Sequence, residues 1–459
     1  MKEQNTWLTY TPEDLDKIET LSKGYIQFLN QGKTERECVR EIITMAEENG
    51  YANLADLISS KKTLTAGDKF YAQCMDKTII LFNLGTEDIE QGMNILGAHI
   101  DSPRLDVKQN PLYENSEFAY LDTHYYGGIK KYQWVTLPLA LHGVVVKKDG
   151  SKVNISIGEN PDDPVFFISD LLIHLAADQL DKKASVVIEG EQLDVLFGSI
   201  PLEDSEKEPV KQNILKLLKE TYDLEENDFW SAELEIVPAG SAREAGLDRS
   251  MILAYGQDDR VCAYTSLIAM LKEENPKKTT CCLLVDKEEI GSVGATGMQS
   301  RFFENTLAEV LNAMGAYSEL TLRRVLARCK MLSSDVSAAY DPTFDGAFDK
   351  KNAAWFGRGI VFNKFTGARG KSGSNDANAE YLAHLRNILS RNNIAFQSAE
   401  LGKVDKGGGG TIAYIMALYG MEVVDSGVAV LNMHAPFEAT SKADIYEASK
   451  AYLAFLQEA

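Results

Sequence analysis

Positive charge is in short supply against negative charge in this sequence: 47 Lys and Arg stand against 68 Asp and Glu in 459 residues, a net charge of −21. So acidic a surface repels phosphate backbones and anionic lipid, so neither nucleic acid nor membrane is expected as a partner. Cysteine is sparse. The six residues Cys38, Cys74, Cys262, Cys281, Cys282 and Cys329 contain no CxxC pair, which excludes a zinc knuckle or dithiol redox motif and leaves them as buried thiols. No apolar run approaches the ~18 residues needed to span a bilayer. The opening MKEQNTWLTYTPEDLDKIE lacks the basic patch and apolar core of a secretory signal, so a cytoplasmic location is expected. Repeats and low-complexity segments are missing too, apart from the glycines at 407–410.

What is present is an ordinary globular composition, 44% hydrophobic and 25% charged, in a length that suggests two or three domains. Leu15, Ile18 and Leu21, then Tyr25, Phe28 and Leu29, recur at helical spacing and predict a packed helical region over 11–58, with an acidic Asn-Gly break at 46–50. The runs 78–84 and 93–100 (MNILGAHI) read as strands, the second buried on both faces. Between 108 and 242 the texture changes. VVVKKDGSKVNISI carries Asp149-Gly150 as a two-residue hairpin signal, FFISDLLIHLAADQLDKK reads as helix, and EDSEKEPVKQ reads as a solvated loop. From 243 onward strands alternate with helices, ending in an amphipathic helix over 442–457 behind a candidate N-cap, Ser441. The expectation is an α/β fold, a mixed sheet flanked by helices, built from 1–107 and 243–459, with a mainly β domain inserted at 108–242.

Five acidic or imidazole clusters share one position, just past an apolar strand or beside the next helix: GAHIDSPRL, GQDDRVC, LLVDKEEIGS, MLSSDVS and VLNMHAPFE. The carboxyl ends of parallel strands form one sheet edge, where residues distant in sequence converge. His99, Asp258, Glu288, Glu289, Asp335 and His434 are therefore candidates for one pocket. Two imidazoles and three carboxylates suit two divalent ions if one carboxylate bridges, since Zn, Mn and Co accept mixed N/O ligands. Glu288, the extra carboxylate beside Glu289, is then left to move protons, and the chemistry of such a site is hydrolysis. Asp101, two residues after His99, suits the orienting of a metal-bound imidazole and equally suits the capping of a turn.

These segments, in this order and at these distances, resemble the dinuclear zinc metallopeptidases of the aspartyl aminopeptidase and vacuolar aminopeptidase I family over nearly the whole chain. The resemblance implies a zinc-exopeptidase-like catalytic domain in which His99 and Asp335 hold one ion, Glu289 and His434 the other, and Asp258 bridges them. Glu288 would be the general base for hydrolysis of the N-terminal peptide bond of peptide substrates. Zn is the metal it implies, with Mn and Co as alternatives. It further implies that the insertion is a dimerisation domain and that dimers build a tetrahedral homododecamer. One histidine of the insertion would reach a neighbouring subunit's site; the matching position is His174, which reads equally well as a partly buried helix residue.

The chain departs from the better-known members after Asp335, where SSDVSAAYDPTFD lacks their histidines, and NKFTGARGKSGSNDAN is rich in Gly and basic residues. Lys364, Arg369 and Lys371 are candidate counter-ions for an acidic substrate side chain, and the glycines around Gly409 offer backbone N–H groups to a substrate oxygen. Acidic and neutral preferences both stay open. GARGKSGS is not a P-loop, because Phe365 stands where that motif needs glycine. The other readings are a related dinuclear deacylase, a glutamyl aminopeptidase-like hydrolase, and a catalytically silent assembly protein.

Overall fold

The computed structural model describes residues 4–459, and they form two units. The first contains the chain up to Asp101, Ala242–Met433 and Glu438–Ala459; the second contains Ser102–Ser241 together with His434–Phe437. The second unit takes in Ser102 onward, ahead of the 108 read from sequence, and the strand Arg104–Asn115, whose pairing with its neighbour shifts register after Val107, spans that point.

Local chemistry starts the first unit. Thr11 and Thr34 each close a capping box, with Asp14 and Glu37, and launch the helices Pro12–Gln31 and Glu35–Glu48, the second of which ends at the Asn49-Gly50 break. A nine-stranded sheet follows, in the spatial order Ala52–Asn53, Lys69–Cys74, Thr78–Asn83, Thr280–Val285, Asn94–His99, Lys330–Ser334, Glu422–Gly427, Ile360–Asn363 and Phe396–Ser398. Its four central strands, Thr280–Val285 through Glu422–Gly427, run parallel. Their side chains alternate between two cores: Leu96, Cys282, Leu332 and Val424 face one, and Ile95, Cys281, Met331 and Val423 the other. Helices cover both faces, so the strands read as continuous apolar runs. Gln257–Lys272, Ala379–Arg391 and Lys442–Glu458 contribute to one core, Phe302–Ala313 and Glu319–Arg328 to the other. A five-stranded sheet that includes Met251–Ala254 and Glu438–Ser441 completes this unit.

The second unit is built on a six-stranded antiparallel sheet with the helix Pro209–Tyr222. The hairpin between Leu139–Val146 and Lys152–Ile157 forms where Asp149-Gly150 announced it, but Lys147 and Ser151 close a three-residue loop instead of a two-residue one. Gly150 takes the positive φ of 87° that the turn demands. The segment read as helix over 166–183 forms only short turns, Ile173–Leu175 and Ala177–Leu180. Leu171, Leu172, Ile173, Leu175 and Leu180 are all exposed there, so no core within the unit fixes an amphipathic face, and helical spacing alone does not sustain a helix.

Asp425 sits inside the nine-stranded sheet, beside Ser333 of the neighbouring strand. Its Oδ1 accepts hydrogen bonds from Ser333 Oγ at 3.1 Å and Thr411 Oγ1 at 2.6 Å, while the buried Oδ2 has no hydrogen-bond partner. Burial pushes this carboxyl up to about 7, against the lowering effect of the two hydroxyls. A raised folded-state pKa means that the acid form stabilises the fold: the contribution is complete below the ordinary carboxylate range and lost as pH climbs to about 7. Asp425→Asn should erase this slope. In chemical denaturation the stability of wild type relative to the variant should fall by up to about 3 kcal/mol between about pH 5 and about pH 8; a constant difference would contradict the assignment.

Candidate metal centre

The parallel strands Asn94–His99, Thr280–Val285 and Lys330–Ser334 deliver their carboxyl ends to one edge, with His99 paired opposite Val285. Immediately beyond them come Asp101, the Asp286–Glu289 turn and Asp335. The helix Gln257–Lys272 begins at the same place, with non-helical backbone at Asp258 and Asp259, whose connecting peptide is cis. Arg260 supports the segment from behind, donating from Nε to the Ile100 carbonyl and from its guanidinium to the Lys33 carbonyl.

His99 is the hub. Its Nε2 lies 3.3 Å from Asp258 Oδ1 and 4.0 Å from both Glu288 Oε2 and Asp335 Oδ1. On its other side Nδ1 is 3.0 Å from the Asp101 carbonyl, which selects the Nδ1–H tautomer and turns the Nε2 lone pair toward the carboxylates. The Asp101 carboxylate, fully buried, accepts the Glu288 N–H at 3.1 Å and the Glu289 N–H at 3.2 Å. One residue therefore fixes the imidazole and the turn that carries both glutamates. Asp101 thus touches both the imidazole and the turn, the geometry that either role open to it in the sequence requires.

Two residues that the sequence reading passed over belong here. Asp259 is completely buried and accepts the His99 backbone N–H, and Glu438 holds the Asp258 N–H at 2.9 Å. The tandem Asp of GQDDRVC was the available signal for the first. The donor atoms of His99, Asp258 and Glu289 lie within 4.8 Å of one another, as do those of His99, Asp259 and Asp335. Burial drives the Asp335 and Asp259 carboxyls well above their ordinary range, with their carboxylate neighbours adding to it. For His99 burial lowers the pKa, but the hydrogen bonds to Asp101 and Asp258 overcome it and the net direction is upward. Mixed imidazole and carboxylate donors, buried together, with an Asp259 Oδ1 that accepts no hydrogen bond, fit divalent metal ions.

The other candidates are placed as follows. His434 belongs to the second unit, where Nδ1 lies 2.8 Å from the Gly128 carbonyl, the same tautomer-selecting arrangement as His99. His174 also belongs to the second unit and sits exposed in the Ile173–Leu175 turn. Lys371 pairs with Asp376 at 3.0 Å and lies over the Phe365 ring. Lys364 follows a strand antiparallel to Glu422–Gly427, so it leaves the sheet away from the edge that carries the cluster. The Gly409 carbonyl accepts the Gly367 N–H. The structure shows no contact of Lys364, Lys371 or Gly409 with the cluster among the described residues.

A profile of the aminopeptidase I zinc metalloprotease family, M18, matches residues 28–456. The chain belongs to the M18 family. The probable M18 family aminopeptidase 1 of Clostridium acetobutylicum is 61% identical over 454 residues, covering 99% of this chain and 98% of that protein. The crystal structure of the M18 aminopeptidase from Thermotoga maritima superposes with a TM-score of 0.95 at 46% identity, with complete coverage of both chains. The S. cerevisiae mApe1 dodecamer gives 0.77 at 20% identity over 96% of this chain and 97% of that one, a likeness of fold alone. As an M18 member the protein is a zinc-family metallo-exopeptidase that acts as an aminopeptidase. No helix among the described residues is long and apolar enough to cross a membrane.

If Asp101 holds both His99 and the glutamate turn, Asp101→Asn should lower metal affinity or kcat by about 10- to 100-fold, the usual cost of removing an orienting partner. Metal titration and steady-state kinetics measure it, and an unchanged variant would remove the positioning role.

Proposed function

We propose that this M18 aminopeptidase works with two divalent ions, Zn first and Mn or Co as alternatives, held by His99, Asp258, Glu289, Asp335 and His434. The observation that carries the reading is the convergence of His99, Asp258, Glu289 and Asp335 around one buried point with Glu288 on its rim. Bound ions supply Lewis acidity for the scissile carbonyl and bring the ionisation of water toward neutral pH.

The residues do the rest. Glu288, half-buried with Oε2 4.0 Å from His99 Nε2, takes a proton from the attacking water and passes it to the leaving amine. Its backbone N–H is already spent on Asp101, so the carboxylate swings on a fixed stem. Glu438 and Asp259 hold the backbone on either side of the ligand set, at the Asp258 N–H and the His99 N–H. Lys371 is engaged with Asp376 and Lys364 leads away from this edge, which favours a neutral over an acidic N-terminal residue.

Assembly belongs to the same reading. The second unit exposes Val165, Phe167, Leu171, Leu172, Ile173 and Leu175 in one stretch of chain, and covering such a surface calls for a partner. We assign it to dimerisation, with His174 in the middle of the contact, within a tetrahedral homododecamer working in the cytoplasm. A deacylase would demand a blocked amino group instead, and the M18 membership argues against it.

Aminoacyl p-nitroanilides of Leu, Ala, Lys, Asp and Glu, offered to chelated enzyme resupplied with Zn, Mn or Co, test the chemistry. The expected outcome is metal-dependent release, fastest on neutral residues, absent with N-acetylated substrate, and lowered by about 10²- to 10⁴-fold in Glu288→Gln. Asp turned over ahead of Leu would reverse the specificity assignment, and full activity in Glu288→Gln would remove the base. Sedimentation should give a dodecamer; Leu172→Asp together with Ile173→Asp should break it into smaller species, and wild type sedimenting as a monomer would refute the assembly.

A further inference from the structure

A cavity lies in the first unit, lined by none of the candidate metal ligands. It measures about 370 Å³ and opens between the helix Ala379–Arg391 and the strands Ile360–Asn363 and Phe396–Ser398 at the border of the nine-stranded sheet. Leu382, Leu385 and Leu389 repeat at i, i+3 and i+7 along one helix face, and Phe362 and Phe396, edge-to-face with each other at 6.4 Å between ring centroids, line the cavity with them. Leu385, Leu389 and Phe362 are part of the main core, so the cavity is a continuation of that core left open to solvent.

The charged groups lining it are both cations. Lys364 and Arg386 are exposed, and neither makes an ion pair among the described residues, in a chain that carries 21 more acids than bases. No carboxylate lines the cavity. The occupant must therefore have an apolar body and a negative end. Gln397, one of two uncharged polar side chains in the lining, already takes the Trp355 N–H and donates to the Trp355 and Gly359 carbonyls. A polar occupant finds little side-chain hydrogen bonding free on Gln397, whereas an alkyl chain needs none. The volume is at the small end of the ~300–1,000 Å³ that ligand pockets span.

We propose that this cavity is a binding site for an aliphatic carboxylate of medium chain length, its alkyl chain against Leu382, Leu385, Leu389, Phe362 and Phe396 and its carboxylate between Lys364 and Arg386. It is separate from the peptidase site: none of its lining residues is a metal-ligand candidate, and the strand that ends before Lys364 runs antiparallel to the strands that feed the cluster.

Calorimetric titration of the whole enzyme with decanoate tests this, with decyltrimethylammonium as the cationic counterpart of equal tail. Decanoate should bind and the cation should not. Binding should weaken about tenfold or more in the exposed double variant Lys364→Glu with Arg386→Glu, and Leu382→Asp should also weaken it. No decanoate binding, or equal binding to the charge-reversed enzyme or by the cation, overturns the proposal. So does a charge-reversed enzyme that changes its sedimentation while wild type ignores decanoate, since the cavity would then be covered by a second copy of the chain.

Discussion

A single buried carboxylate organises the metal centre. Asp101 takes the N–H groups of Glu288 and Glu289 with its two side-chain oxygens while its own carbonyl receives His99 Nδ1, so one anchor serves the imidazole and a turn that begins 187 positions beyond the anchor in sequence. The imidazole cannot rotate without breaking its tautomer-selecting bond, and the glutamate turn cannot drift without leaving two N–H groups unpaired beside a buried charge. Arg260 braces the same segment through the Ile100 carbonyl. The sheet brings the strand ends together; Asp101 decides how they face.

That arrangement creates the second constraint, crowding of like charge. Asp258, Asp259, Asp335 and the two glutamates surround one imidazole where water is largely excluded, and burial drives Asp259 and Asp335 well above their ordinary range. Such a cluster is costly as a set of anions and inert as a set of acids. A divalent cation resolves both problems at once, since it stabilises the ionised donors and holds them as ligands. Arg260, a buried cation of the same segment, directs hydrogen bonds to the Ile100 and Lys33 carbonyls. In this sense the cluster's electrostatics ask for a cation as much as the proposed chemistry does.

Much of this was legible in the sequence because the physics is local. An apolar strand that stops at a histidine or an acid announces both the sheet and its edge, and His99, Glu288, Glu289 and Asp335, singled out that way, do lie together in the structure. Asp259 was hidden by Asp258, since adjacent acids at a helix start look interchangeable until the backbone directs them to different partners. Glu438 was hidden because its work, holding the Asp258 N–H, depends on a contact across 180 residues. The stretch 166–183 deceived by periodicity: its leucines recur like a helix face, yet they are exposed within their own unit and the chain turns instead. The contact units divide earlier than the change of texture at 108, because one long strand, Arg104–Asn115, begins only three residues after Asp101.

The claim at the centre of this account is that the cluster around His99 exists to hold two metal ions. Elemental analysis of enzyme stripped with chelator, reloaded with zinc and freed of excess metal, measures it without reference to activity. The account predicts two tightly held zinc ions per chain in the wild type and a clear loss on Asp258→Ala, the donor assigned to both ions. One ion or none per wild-type chain, or two retained in Asp258→Ala, would contradict it.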